Sequence, residues 1–218
     1  MPITVRRSSR PPSPGPGRPK DLEKRAAIMA AAKRLFPLQG FEGVSMDAIA
    51  AEAGVSKLTV YSHFTDKETL FTEAVKEKCL EQVPDDIFVP VTRGPIRAAL
   101  MTIGLRFHGL VSSDEAIGLQ RMLLTTDRRN ADTLGRLFWE AGPARVSESL
   151  ARFLAASVER GQLDIPDTRE AAGHFLCLLK GEVNRRMLCG AAACAHADEV
   201  DAHVGSVVDF FLRAYAPR

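Results

Sequence analysis

The clearest chemistry in this sequence lies in eight consecutive residues that bring many hydrogen-bonding side chains together. These side chains are Ser56, Lys57, Thr59, Tyr61, Ser62 and His63. Hydroxyl and phenol groups bond phosphate oxygens, and an ammonium group adds a positive charge that attracts them. A groove of double-stranded DNA presents such phosphates beside the polar edges of the bases. We therefore predict that this segment contacts DNA.

The surrounding residues predict two short helices joined by a tight turn. Ser45 and Ser56 each precede a helical run, where a hydroxyl group caps the first turn. The apolar residues of the first run are Met46, Ile49, Ala50 and Ala53, which share one face. Gly54 follows, where helices commonly end in a left-handed residue. The pattern is typical of a helix-turn-helix, although two ordinary core helices with a solvated face would show the same caps and spacing.

The second of these helices is predicted to turn Val60 and Phe64 inward, since apolar residues four apart share a face. Its outward face then presents Lys57, Thr59, Tyr61, Ser62 and His63. In the major groove, we expect the Tyr61 phenol to donate to a phosphate oxygen. Lys57 and Thr59 are expected to approach base edges.

One further helix is predicted on each side of this pair. The first begins with Asp21 as its N-cap and ends at residues 37–40. Its apolar stripe consists of Ile28, Ala31, Ala32, Leu35 and Phe36. The fourth helix opens with a Thr-x-x-Glu capping box at residues 65–68 and runs to about Gln82.

The ordered motifs between Ala26 and Phe71 resemble the N-terminal DNA-binding domain of the TetR family of bacterial transcriptional regulators. The motifs are Ala31-Ala32-Lys33-Arg34-Leu35-Phe36, Gly40-Phe41, Met46-Asp47-Ala48-Ile49-Ala50, Ala53-Gly54-Val55-Ser56, Thr59-Val60-Tyr61, His63-Phe64 and Lys67-Glu68-Thr69-Leu70-Phe71. Leu58 departs from the family pattern, which often has a small residue such as glycine there. The resemblance implies that the fourth helix meets the DNA backbone at its start, which accounts for Lys67 where the helix dipole disfavours a cation.

The predicted DNA-binding set is Ser45, Ser56, Lys57, Thr59, Tyr61, Ser62, His63, Lys67 and Arg18. Arg18 belongs to the first 20 residues, which hold six of the thirteen prolines and no acidic residue. We expect this basic arm to be disordered. Its Gly17-Arg18-Pro19-Lys20 segment is of a kind that enters a narrow minor groove, and a tail that only improves solubility is the alternative.

Charge is unevenly distributed along the chain. Residues 1–64 hold ten basic and five acidic residues, a net charge of +5, whereas the whole chain carries +2. The remaining residues therefore carry −3. A basic N-terminal third on an acidic body indicates a nucleic-acid-binding part joined to a part with another function.

After a linker at residues 84–95, the chain predicts an all-helical body. The helices are expected at residues 96–111, 114–126, 132–140, 144–160, 167–188 and 200–215. No stretch shows the strict alternation of a β-strand, so the predicted fold class is all-α. The predicted domains are the basic arm (1–20), a helix-turn-helix domain that ends in the fourth helix (21–82), and a regulatory and dimerisation domain (83–218).

The body between about Gly118 and Gly190 resembles the AefR-like C-terminal domains that some TetR regulators carry. The residues that carry this resemblance are Phe138, Glu140-Ala141-Gly142-Pro143, Gly161-Gln162-Leu163, Ala171-Ala172, Phe175 and Leu179-Lys180-Gly181. The resemblance supports a regulator and names no ligand.

The body is predicted to form a homodimer and to hold a small molecule. The last two helices have apolar faces wide enough to pack both their own domain and a symmetry mate, with Ala202, Phe210 and Ala214 widening the final one. A pocket for an unknown effector is predicted among the middle helices. Its candidate residues are Phe107, His108, Arg121, Met122, Phe138, Trp139 and Cys177. Ordinary core or surface packing is the alternative for each of them.

The sequence argues against several other classes of protein. It has neither a run of 18 apolar residues nor an apolar segment behind Arg6 and Arg7, so we expect no membrane span or secretory signal, and a cytoplasmic protein with reduced cysteines. The spacing of Cys189, Cys194 and His196 is not a standard zinc pattern, so no metal or cofactor is predicted. No nucleophile or phosphate-loop motif is present, so no catalytic residue is predicted.

The sequence therefore predicts a DNA-binding transcriptional regulator, a ligand-responsive repressor that binds a palindromic double-stranded operator as a dimer. One alternative is a small-molecule-binding protein or enzyme with an accessory helix-turn-helix. The other is an architectural DNA-binding protein, which would have no use for about 120 residues of acidic helical body and would prefer no sequence.

Overall fold

The computed structural model describes residues 18–89, 94–192 and 196–217, without the side chains of residues 18–20, 128 and 129. Within these ranges the protein consists of ten α-helices and one 3-10 helix and contains no strand, so the predicted all-α fold is confirmed. The α-helices are α1 (Arg18–Gly43), α2 (Met46–Glu52), α3 (Lys57–His63), α4 (Lys67–Gln82), α5 (Ile96–Val111), α6 (Asp114–Thr125), α7 (Arg128–Ala141), α8 (Pro143–Glu159), α9 (Thr168–Leu188) and α10 (Ala197–Tyr215), and the 3-10 helix is Asp85–Phe88.

The predicted start of the first helix is wrong, whereas its predicted end within residues 37–40 agrees with a break at Gly40. α1 starts at Arg18, so Asp21 lies in its first turn, where a carboxylate favours the helix dipole, rather than at the N-cap. The helix passes through Pro37 and breaks at Gly40, whose φ of +76° is open to glycine. The helix continues through Pro37 although proline lacks an amide N–H, and Phe36 and Phe41 are buried on either side of it.

Aromatic contacts hold α1 against α4. The Phe71 ring packs edge-on against Phe36 and Phe41, with centroid separations of 5.3 and 5.5 Å. Each such pair contributes about 0.5–1.5 kcal/mol beyond its buried area. The start of α4 is therefore fixed relative to the small core that carries α2 and α3.

The N-cap of α4 is Asp66, and the predicted cap at Thr65 is wrong. The Asp66 carboxylate accepts a hydrogen bond from the Thr69 N–H at 2.7 Å. Hydrogen bonds from Thr69 hold the pKa of Asp66 below its ordinary value. Aspartate is a better cap than threonine, so the helix begins one residue later than the Thr-x-x-Glu pattern predicted.

The body packs α8 along α9 and α5 along α10, and a Phe175–Phe211 ring pair at 4.9 Å joins α9 to α10. Most helix bounds lie within three residues of the predicted ones, but α7 begins at Arg128 rather than Asp132. The first part of the predicted linker is packed, because Phe88 of the 3-10 helix is buried. Residues 90–93 of that linker lie outside the described residues.

A histidine pair lies where α5, α9 and α10 meet. His108 of α5 is 1% exposed, and its Nε2 has no hydrogen-bond partner among the described residues. Its ring lies 5.9 Å from that of His203, which contacts the Leu179 carbonyl of α9, two residues before a kink at Gly181. Burial, with a smaller contribution from His203, lowers the pKa of His108. The folded protein therefore favours the uncharged ring.

This burial predicts a loss of stability in mild acid. Below about pH 6.5, His108 binds a proton in the unfolded chain but stays uncharged in the folded protein. The free energy of unfolding therefore falls as the pH decreases. The His108→Gln variant should lose less stability than wild type between pH 7 and pH 5, by up to about 1.4 kcal/mol per pH unit. Urea unfolding at several pH values measures this, with the exposed His174→Gln as control. Parallel pH curves for wild type and His108→Gln would contradict it.

Candidate DNA-binding surface and ligand cavity

Two serine caps and one glycine build the helix-turn-helix. Ser45 Oγ accepts from the Ala48 N–H, and Ser56 Oγ accepts from the Thr59 N–H, each at 3.1 Å. Between the helices Gly54 has a φ of +65°, which lets the chain turn within four residues. These caps and this turn are the ones the sequence predicts.

The recognition helix α3 presents a narrower outward face than predicted. Val60 is buried, whereas Lys57, Leu58, Tyr61 and Ser62 are exposed. The side chain of His63 is only 11% exposed and its Nε2 lies 3.2 Å from Asp21 Oδ1 of α1, so the prediction that His63 faces outward is wrong. The reason is its position three residues after Val60, on the inner face of the helix.

Most polar groups of α3 already have partners within the chain. Ser62 donates to the Thr59 carbonyl at 2.7 Å, and the hydroxyls of Ser56 and Thr59 lie 2.8 Å apart. Thr59 is also partly buried, against the prediction that it faces outward. These bonds stiffen the helix and reduce the hydrogen-bonding capacity that it offers to DNA.

Lys57 is bonded to α2. Its ammonium group lies 3.0 Å from Asp47 Oδ2, and this hydrogen bond raises the pKa of Lys57. Both side chains are exposed, and an exposed pair of this kind is weak. Lys57 can therefore exchange Asp47 for a DNA acceptor at little cost.

Lys67 is held at the N-terminus of α4. It donates to the Phe41 carbonyl at 2.8 Å, and its ammonium group lies 4.3 Å from the centroid of the Phe41 ring. These contacts explain how a cation is tolerated in the first turn of α4, because the carbonyl and the ring face offset the helix dipole. The side chain of Arg18, the remaining predicted DNA contact, lies outside the described residues.

A largely apolar cavity of about 210 Å³ lies in the body between α4, α5, α6, α7, α8 and α9. Four of the seven predicted ligand residues line it, namely Phe107, Phe138, Trp139 and Cys177. The lining residues that the sequence does not predict are Val75, Lys78, Cys79, Leu110, Val111, Ala116, Leu119, Gln120, Pro143, Val146, Ser147, Gly173, Leu176 and Lys180. Helical periodicity marks many of these as core, and no sequence signal separates a core position from one beside a gap.

The other three predicted ligand residues lie away from the cavity. His108 packs towards His203, as described above. Arg121 donates to the carbonyls of Leu188 and Met187, where it caps the C-terminal end of α9. Met122 is buried near Gly40. Arg121 and Met122 instead line an open groove between α1, α6 and the end of α9.

Two charged side chains, Lys78 and Lys180, line the cavity, and Lys180 is exposed. Lys78 is paired with Glu115 at 3.2 Å. Burial raises the pKa of the Cys79 thiol to about 11, so it is uncharged at neutral pH. Gln120 donates to the carbonyls of Val111 and Ala116. The interior therefore suits an apolar molecule with few polar groups.

Two helices, α4 and α6, connect this cavity to the DNA-binding part, which consists of α1, α2 and α3. α4 contributes Val75 and Cys79 to the cavity wall and begins at the cap that follows α3. α6 contributes Leu119 and Gln120, and its Gly118 packs so closely on α1 that an added Cβ would lie 2.6 Å from Pro37. A molecule in the cavity therefore touches both helices that support the DNA-binding part.

No cluster of metal-binding side chains occurs in the ranges that the structure describes. Cys189 is exposed, and Cys194, the central residue of the weak Cys/His pattern, lies outside those ranges. No described helix is long and apolar enough to cross a membrane.

Comparison with known families identifies this combination of a helix-turn-helix and a helical body with a cavity. Residues 28–74 match the bacterial regulatory proteins of the tetR family, and residues 98–217 match the C-terminal domain of AefR-like transcriptional repressors. The chain belongs to the TetR family. It is a ligand-responsive, DNA-binding transcriptional regulator, and the resemblance that its motifs indicated is confirmed.

Individual TetR regulators resemble the chain over nearly its whole length. The transcriptional repressor AcnR of Corynebacterium glutamicum is 26% identical over 86% of this chain and 94% of its own. The crystal structure of a TetR-family regulator from Mesorhizobium loti superposes with a TM-score of 0.76 at 28% identity, covering 90% of this chain and 98% of that one. The flavonoid-responsive regulator FrrA has a TM-score of 0.69 at 31% identity, over 89% and 98%.

Proposed function

We propose that this TetR-family protein represses transcription in the cytoplasm by binding a palindromic operator as a homodimer, and that a small molecule in the cavity releases it. One observation carries the proposal: α4 and α6 both line the cavity and both contact the DNA-binding part. DNA fixes the distance between two recognition helices at about 34–36 Å for half-sites one turn apart. A ligand that tilts either helix changes that distance and so lowers operator affinity.

The dimer surface in this proposal is formed by α9 and α10. Ala202, Ser206, Phe210 and Ala214 follow one another at four-residue spacing on α10 and are all exposed. Phe210 is 55% exposed, and Leu178 of α9 is 39% exposed. Small residues around one large ring allow two helices to approach closely, as in a four-helix interface between symmetric copies.

The proposed DNA contacts are centred on the exposed face of α3. Lys57 and Tyr61 lie one turn apart on that face and are the primary candidates for base and phosphate contacts, respectively. Ser45 and Ser56 contribute through the caps they form, and Thr59 through its hydrogen bonds to Ser56. Lys67 and Arg18 remain proposed backbone contacts.

The Tyr61→Phe substitution tests the phosphate contact. The variant keeps the ring and loses one hydrogen bond, so DNA affinity should fall by about 1 kcal/mol, and equally for operator and random duplex. Titration of both duplexes measures this, and Tyr215→Phe, which removes the other tyrosine hydroxyl, is the matched control. A loss confined to the operator would contradict the phosphate role of Tyr61.

The proposed effector is an apolar molecule about the size of a substituted benzene ring. A cavity of about 150 Å³ with apolar walls is known to hold benzene, and this one measures about 210 Å³. Phe107 and Phe138 offer aromatic walls, and Lys180 offers a positive charge for an acidic substituent. The relative FrrA is flavonoid-responsive, which supports a ring compound.

The proposed function is tested by selecting genomic fragments on the full-length protein and then competing the best fragment against random DNA. A palindromic site preferred by at least about 1,000-fold is expected for a specific regulator. Equal affinity for all fragments would instead favour an architectural protein. Compounds are then screened by the fluorescence of Trp139, the single tryptophan, which lines the cavity.

A further inference from the structure

The recognition helix exposes an apolar side chain that the fold does not use. Leu58 is 81% exposed, the highest value among the large apolar side chains that the structure describes as exposed. It lies on α3 directly after Lys57, and Tyr61 and Ser62 follow one turn later on the same face. Burying a leucine side chain stabilises a fold. Because Leu58 is exposed, its side chain contributes almost nothing to the stability of this fold.

Three of the polar side chains of α3 beside Leu58, those of Lys57, Thr59 and Ser62, are already hydrogen-bonded. Lys57 is paired with Asp47, and Ser62 donates to the Thr59 carbonyl. Thr59 and Ser56 bond each other. Leu58 lies at the start of this face. Its large side chain can therefore reach a DNA base without breaking an internal hydrogen bond.

The largest apolar group that the major groove presents is the 5-methyl group of thymine. We propose that Leu58 contacts a thymine methyl group and thereby specifies a T·A pair at one position of each half-site. This inference rests on the proposed function, since it requires α3 to enter the major groove. It makes Leu58 a specificity-determining residue, alongside the hydrogen bonds predicted for Lys57.

Replacing thymine by uracil tests the contact, since dT→dU removes the methyl group and leaves base pairing unchanged. A preferred duplex is first selected from random sequences on the full-length protein, and each thymine is then replaced in turn, symmetrically in both half-sites. At one position, wild type should lose about fourfold in affinity per half-site, the effect of one buried methyl group. The Leu58→Ala variant should lose no affinity at that position.

Leu124→Ala is the matched control, because Leu124 of α6 is 78% exposed and lies outside the helix-turn-helix. This variant should keep the uracil sensitivity of wild type. The inference is overturned if no dT→dU replacement weakens wild type, or if Leu58→Ala is weakened as much as wild type. A selection that yields no preferred sequence would overturn the proposed function as well. Failure of the Leu58 contact alone is therefore distinguishable from failure of the proposed function.

Discussion

Phe210→Asp is expected to lower operator affinity by at least about 100-fold. This is the largest effect on DNA binding of any single substitution proposed for this protein. Two linked helix-turn-helix units bind two half-sites with an avidity gain of about 10²–10⁴ over one unit. A carboxylate at the centre of the proposed α10 surface would be desolvated without a partner on dimerisation, which disfavours association. Each separated chain would then hold only one half-site.

The readout is the molecular mass in solution together with operator affinity. Leu124→Asp, which places the same charge on the exposed face of α6, should leave both unchanged. A Phe210→Asp variant that remains dimeric and binds the operator normally would show that α10 does not form the interface. Because both positions are exposed, both variants should keep the wild-type helical content, which circular dichroism measures.

Gly173→Leu is expected to abolish the response to the effector while operator binding persists. Gly173 of α9 lines the cavity, and a Cβ at this position would meet no atom within 4 Å. A leucine side chain adds four carbon groups, each about the volume of a water molecule, and fills roughly half of the space. The substitution also favours the helix by about 0.8–1 kcal/mol, so the variant should remain folded.

The matched control for Gly173→Leu is Gly109→Leu on α5, which also has open space around it but lies outside the cavity. Compounds that quench Trp139 in wild type should bind Gly109→Leu equally well and should fail to bind Gly173→Leu. Retained binding in Gly173→Leu would show that the effector occupies another site.

Local features of the helix-turn-helix could be predicted from the sequence because they depend on neighbouring residues. Ser45 and Ser56 cap their own helices, and Gly54 turns the chain between them. The position of His63 was predictable by the same logic, because its spacing from Val60 places it on the inner face. The polarity of histidine favours an exposed position, but the His63 ring packs beside Phe64.

The ligand site was less predictable because it depends on distant parts of the chain. Arg121 looks like a pocket residue by its chemistry, but the carbonyls that bind it lie on α9, 66 and 67 residues further along. Cys79 and Gly173 belong to helices far apart in sequence, and both line the cavity. A gap between helices is set by the packing of all of them, which no single pattern of residues records.

The central claim is that the cavity and the DNA-binding surface are coupled through α4 and α6. It is tested most directly by measuring the affinity of a Trp139-quenching compound for wild-type protein, alone and with saturating operator DNA. A coupling free energy of about 1–3 kcal/mol predicts that the operator weakens compound binding about 5- to 150-fold, and that the compound weakens operator binding by the same factor. Equal affinities with and without operator would contradict the claim.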